Sequence, residues 1–156
     1  MKPVIRAFAA AALLATAPAV IQAHFKLVEP ASWLIEDDRG DPQKAGPCGG
    51  SNTDWGKPSF GVTQAVGGSK LHVKVQETIY HPGFYRVALA VNSPAELPLD
   101  PKATTTQSER GPQSVSGEVM NPVQMPVLAD GLFMHHERAA APFETDVTLP
   151  NISCKR

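Results

Sequence analysis

Two histidines, His24 and His81, have the residue type and the sequence surroundings to bind a metal ion. His24 follows an apolar N-terminal segment, and removal of that segment after Ala23 would make His24 the first residue of the mature chain. It would then offer two nitrogen donors, a free α-amine and an imidazole, both available near neutral pH. A second imidazole would complete a T-shaped site of three nitrogens, which suits Cu(II) and, with two imidazoles, also holds Cu(I).

His81 is the best candidate for that second imidazole. Pro82 disfavours a helix at His81, and the pair Pro82-Gly83 predicts a turn between two strands. A histidine held in such a turn has little freedom, as a preorganised ligand requires. The alternative is a turn histidine without a metal-binding role.

The other histidines are weaker candidates. His72 shares a strand face with Lys74 and Gln76, which predicts a solvated side chain. His135 and His136 are neighbours that would point to opposite faces of a strand, so at most one of them could bind the ion. An acidic cluster lacks the spacing of a calcium loop and is predicted to solvate a loop; it comprises Glu36, Asp37, Asp38 and Asp41.

Aromatic side chains bracket His81 and flank the first long loop. By strand alternation either Phe84 or Tyr85 would face the metal, in an axial or supporting position, while the other would lie in the core. Exposed, Trp33 and Trp55 would offer flat faces to a sugar ring; buried, they would anchor the core or the loop, and this second interpretation is favoured.

Residues 1–23 have the features of a secretory signal peptide. Lys2 and Arg6 precede a run of small and apolar residues that is too short and too rich in alanine for a membrane span. Cleavage after Ala19 fits the small-x-small rule better than cleavage after Ala23, and both sites stay open on this rule alone. The leader predicts a secreted or periplasmic protein with no membrane association once it is removed.

Export also permits disulfide formation, and the chain has only two cysteines, Cys48 and Cys154. A bridge between them would close a loop of about a hundred residues and contribute about 4–5 kcal/mol in the chain-entropy model. The alternative is that the true partner of Cys154 is missing from this sequence. The formal net charge is −1, and removal of the basic leader makes it more negative, which argues against nucleic acid as a partner.

The remainder of the chain predicts one all-β domain over residues 24–156. Short apolar runs alternate with Gly and Pro, and none keeps a helical period for three turns, which is typical of a β-sandwich. Residues 36–59 and 92–113 are predicted to be loops. The predicted strands are His24–Val28, Phe60–Val66, Leu71–Gln76, Phe84–Val91, Val115–Met120, Met125–Leu128, Leu132–His135 and Phe143–Leu149.

Together these residues resemble the histidine-brace copper proteins. The resemblance rests on the junction Ala23-His24, the start His-Phe-Lys-Leu, the Gly-Pro-Cys-Gly-Gly loop around Cys48, and the segment Tyr-His-Pro-Gly-Phe-Tyr-Arg around His81. The chain is similar to a bacterial family described as polysaccharide-monooxygenase-like, which is related to lytic polysaccharide monooxygenases and to non-catalytic copper-binding proteins. The similarity covers essentially all of residues 24–156.

This resemblance implies an immunoglobulin- or fibronectin III-like sandwich and one copper ion bound by His24, through its amine and imidazole, and by His81. It favours cleavage after Ala23, because the brace needs a free amine. Proteins of this kind continue beyond the region of Cys154 into further strands, so the resemblance also predicts a shortened C-terminus. The implied activity is oxidation of a polysaccharide at a glycosidic carbon by a monomer with an external electron donor. Alternatives are a copper-binding or copper-delivery protein and a metal-free carbohydrate-binding sandwich.

Overall fold

The computed structural model describes residues 24–42, 56–99, 101–108, 111–115 and 117–153. Within them the regular secondary structure consists of β-strands, apart from one 3₁₀ turn at Pro94–Glu96. The strands are β1 His24–Glu29, β2 Lys70–Ile79, β3 Gly83–Ala88, β4 Thr104–Ser108, β5 Gly111–Val115, β6 Val127–His135 and β7 Phe143–Thr148. The predicted all-β class is therefore confirmed.

Every strand pairing is antiparallel. One sheet has the order β1-β2-β7, a second pairs β3 with β6, and β4 and β5 form a separate hairpin. β2 is the central strand of the first sheet, and its alternation is the clearest in the sequence. Val73 and Val75 are buried, whereas His72 and Gln76 are exposed, because successive side chains of a strand point to opposite faces.

The core lies between the first two sheets. Val73, Val75 and Val147 are its buried centre, and partly buried apolar side chains from both sheets pack against them. The additional side chains are Phe25, Leu27, Leu71, Tyr85, Val87, Leu128, Ala129, Leu132, Phe133 and Phe143. Because both sheets contribute apolar faces, the architecture is that of a β-sandwich. The immunoglobulin- or fibronectin III-like topology stays a prediction.

Several predicted strand boundaries are wrong. Residues 60–66 form no strand, because Phe60 has a left-handed φ of 58° and most of the segment is exposed. The predicted loop 92–113 contains β4 and the start of β5, whose polar sequences lack an apolar stripe. Of the strand predicted at Val115–Met120, Val115 is the last residue of β5, and residues 117–120 are not in a strand.

β6 replaces two predicted strands with one irregular strand. At each of three register shifts β6 has one more residue than β3, so the strand is bulged repeatedly. Gly131 and Phe133 adopt positive φ values of 67° and 54° in this region. Bulges redirect side chains, which explains how the consecutive residues Leu132 and Phe133 both pack against the core.

The loop after β1 folds back against that strand. Asp37 Oδ1 accepts hydrogen bonds from the main-chain N–H groups of Arg39 (2.8 Å) and Asp41 (2.9 Å), and these bonds lower the pKa of the Asp37 carboxyl group. Glu36 accepts a bond from the N–H of Leu27 at 3.1 Å, while burial raises the pKa of its carboxyl group. Part of the acidic cluster therefore organises the loop, as well as being solvated by water.

Candidate metal centre

Strand register brings the two predicted ligands to the same end of the sandwich. The Cα of His24, at the start of β1, pairs with that of Ile79 near the end of β2, and His81 follows two residues later. Gly83, at the start of β3, pairs with His135 at the end of β6. His24, His81 and His135 therefore belong to elements that begin or end in one region.

The imidazole of His81 has one nitrogen committed to the main chain and one available as a ligand. Its Nδ1 lies 3.1 Å from the carbonyl oxygen of Pro82. Because a carbonyl oxygen only accepts hydrogen bonds, Nδ1 carries a proton, and the lone pair of the neutral ring is then on Nε2. Nε2 is buried and has no hydrogen-bond partner among the described residues. This tautomer is the one that a metal ion bound at Nε2 would require.

A carboxylate, Glu77, connects His81 with His135. Glu77 Oε1 accepts a hydrogen bond from the main-chain N–H of His81 at 2.9 Å and lies 3.2 Å from Nε2 of His135. The Glu77 side chain is only 4% exposed and that of His135 is 11% exposed. The second carboxylate oxygen, Oε2, is also buried, without a hydrogen-bond partner in the described part of the chain.

Aromatic rings surround the Glu77–His135 pair. The ring of Tyr85 stacks on His135, with centroids 6.3 Å apart and planes inclined by 17°, and it also packs against Phe25, Phe133 and Phe143. Burial raises the pKa of the Tyr85 hydroxyl, and the nearby negative charge of Glu77 raises it further. Tyr85 is therefore the member of the Phe84–Tyr85 pair that lies in the core.

Phe84 is partly buried and makes no ring contact with another aromatic residue in the described ranges. It remains the candidate for the side chain that faces the metal. Tyr80, one residue before His81, donates its hydroxyl hydrogen bond to the main-chain carbonyl of His136. This contact joins the end of β2 directly to the chain that follows β6.

The remaining histidines are distributed as follows. His72 is exposed and hydrogen-bonds through Nδ1 to Asp146 at 2.9 Å, a contact that raises the pKa of the imidazole. Its predicted position on the solvated face of β2 is confirmed. His136 is exposed, whereas His135 is largely buried beside Glu77. The two neighbours thus have opposite environments, as their adjacency in the sequence predicted.

The predictions that remain concern the two tryptophans, the two cysteines and the leader. Trp33 is 47% exposed, so the favoured interpretation of it as a buried anchor is wrong. Trp55, Cys48 and Cys154 lie outside the described residues, as does the predicted leader at 1–23. The predicted Cys48–Cys154 bridge and the cleavage site therefore stay predictions.

Glu77 is the residue of this region that sequence reasoning missed. It continues the inward-facing series Leu71, Val73 and Val75 at the same spacing of two, so a carboxylate occupies a core-facing position of β2. A charged group is seldom buried unless it is paired, so this break in an apolar series is a signal of a specific partner. The partner, His135, is separated from it by 58 residues and has no local signature.

No group of three or more His, Cys, Asp or Glu side chains within the described ranges is arranged to hold a metal ion. Over the same residues no helix is long and apolar enough to cross a membrane. Comparisons of the chain with models of known protein families, with curated proteins and with solved structures give no match.

Proposed function

We propose that the mature chain is an exported mononuclear copper protein of the lytic polysaccharide monooxygenase type, with His24 and His81 as its metal ligands. The observation that carries the proposal is the buried Nε2 of His81, which has a lone pair and no partner among the described residues. Strand pairing places the start of β1, where His24 lies, beside the end of β2 that leads into the His81 turn. Two imidazoles and an α-amine form a donor set that suits copper in both oxidation states.

The chain's own residues would bind and orient the metal. The imidazole of His81 would donate through Nε2, because Nδ1 is directed to the carbonyl of Pro82. His24 would contribute its imidazole and, after cleavage at Ala23, its amine. Bound copper would supply one-electron chemistry, with an external electron donor and oxygen or peroxide, for oxidation of a C–H bond beside a glycosidic bond. Phe84 is the candidate for shielding the metal.

Copper binding without catalysis is the second candidate, and the position of the exposed aromatic rings favours it. Oxidation of a polysaccharide requires the substrate to be held close to the metal. Among the described residues, the exposed aromatic side chains Trp33 (47%) and Phe60 (86%) lie in the segments between β1 and β2. They do not lie in the elements that meet at His81.

Titration of the secreted protein with Cu(II) tests the site. We expect one copper ion per chain, a large loss of affinity in His24→Ala and His81→Ala, and no change in the control His72→Ala. The mass of the mature N-terminus gives the cleavage point, and any residue left before His24 would rule out the brace. Unchanged affinity in folded His81→Ala would remove His81 from the site.

Activity is tested separately. The copper-loaded protein is incubated with ascorbate, oxygen or peroxide, and a panel of chitin, cellulose and other glycans. Soluble oxidised oligosaccharides would support the monooxygenase. Their absence across the panel, with the site shown to be filled and redox-active, would leave copper binding or delivery as the function.

A further inference from the structure

The carboxylate of Glu77 makes two contacts through one oxygen atom. Oε1 accepts from the main-chain N–H of His81 at 2.9 Å and lies 3.2 Å from His135 Nε2. The first contact uses the main chain of His81, so it fixes the turn without occupying a ring nitrogen, and Nε2 stays available for a metal ion. Glu77 lies four residues before His81, and the hydrogen bond therefore closes the chain around the end of β2.

His135 holds the carboxylate from the opposite sheet. Its Nδ1 lies 2.7 Å from the carbonyl oxygen of Phe133, and this second contact fixes the orientation of the ring. The ring is further confined by Tyr85, which stacks on it, and by Phe143, whose centroid is 4.9 Å away. An immobilised imidazole therefore lies against a carboxylate that is itself 4% exposed.

We propose that Glu77, held in place by His135, is a positioning residue for the metal ligand His81, an inference that rests on the proposed function. Its carboxylate keeps the main chain of the turn fixed, so that the Nε2 lone pair of His81 is presented in one orientation. A carboxylate suits this role because hydrogen bonds to an ionised acceptor are shorter and stronger than those to a neutral one. Residues that orient metal ligands typically change metal affinity by about 10–100-fold when they are replaced.

Two variants of Glu77 separate charge from geometry. Glu77→Ala removes both contacts, whereas Glu77→Gln keeps an oxygen that can accept from His81 but removes the charge. We expect Cu(II) affinity to fall by about 10–100-fold in Glu77→Ala, with an altered Cu(II) electron paramagnetic resonance spectrum, and to fall less in Glu77→Gln. Glu144→Ala is the matched control, because Glu144 is an exposed carboxylate that pairs with Lys74 at 2.8 Å.

A measurement on the metal-free protein tests the hydrogen bond between the His81 N–H and Glu77 directly. Amide hydrogen exchange at His81 should be slow in the wild type, faster in Glu77→Ala, and nearly as slow as wild type in Glu77→Gln. This measurement also keeps the test valid if the alanine variant folds poorly, because the glutamine variant is close in shape to the wild type.

The outcomes distinguish the two proposals. Wild-type copper affinity and an unchanged spectrum in folded Glu77→Ala would overturn the role of Glu77 and leave the copper site standing. Rapid exchange of the His81 amide in the wild type would also overturn it. Failure of the wild-type secreted protein to bind copper would overturn the proposed function, and the positioning role with it.

Discussion

The α-carbon of Gly40 lies directly against the main-chain carbonyl of Phe25, so closely that a Cβ atom at Gly40 would overlap the carbonyl oxygen. Gly40 is buried and has a φ of 86°, in the left-handed region. The loop after β1 can therefore approach the strand only because this residue has no side chain.

Gly40→Ala should destabilise the protein by more than about 1 kcal/mol, since it combines backbone strain with a main-chain overlap. The melting temperature should fall by several degrees. Gly68→Ala is the matched control: Gly68 has a similar φ of 81°, but the atoms nearest to an added Cβ are 3.8 Å away. Equal losses in the two variants would show that the contact with Phe25 is unimportant.

Asp130 should make the free energy of unfolding decrease at acidic pH. Burial alone would raise the pKa of its carboxyl group, but hydrogen bonds from Arg86 (2.6 Å), Met120 N–H (2.8 Å) and Gly131 N–H (2.9 Å) outweigh burial and hold the pKa below 3.8. The stabilisation by the Asp130 carboxylate is therefore complete above pH 3.8, the ordinary pKa of the group. It is lost as the pH falls through the lower pKa of the folded state.

Urea denaturation across acidic pH values checks this expectation. Asp130→Asn should cost more than about 1 kcal/mol at neutral pH and should remove part of the acid dependence. Asp38→Asn serves as the control, because Asp38 is fully exposed and lies 3.6 Å from Lys26. An identical acid dependence in wild type and Asp130→Asn would contradict the assignment.

Tyr85 should resist ionisation until the protein unfolds. In a Tyr80→Phe variant Tyr85 is the only tyrosine, so phenolate absorbance reports on it alone. Because burial and the charge of Glu77 raise its pKa above the ordinary 10.0, we expect the signal to appear with loss of structure. The raised pKa contributes stability that is present below pH 10 and is lost at higher pH. Ionisation near pH 10 in a folded chain would place Tyr85 in solvent.

The sequence predicts those parts of the molecule that local patterns determine. β2 is evident from the alternation of Leu71, Val73 and Val75, and the His81 turn is evident from Pro82-Gly83. Residues 60–66 show the limit of this reasoning. Their apolar composition suits a strand, but a strand also needs a neighbour, and composition does not reveal one.

The surroundings of His81 depend on distant contacts. β6 approaches β3 through three register shifts, which direct His135 toward Glu77, and no local pattern specifies bulges of this kind. The hairpin of β4 and β5 is also not evident from the sequence, although it contains no bulge. Its pairing is regular from Thr104 to Val115, but its sequence has no apolar stripe to reveal it.

The polar contacts at the His81 end also have a mechanical consequence. Glu77 to His135 and Tyr80 to His136 join β2 of one sheet to the end of β6 in the other. Hydrogen bonds are directional and resist sliding, whereas the apolar contacts elsewhere between the sheets are not directional. The two sheets should therefore separate first at the opposite end, where β2 begins at Lys70 and β3 ends at Ala88. They should separate last beside Glu77.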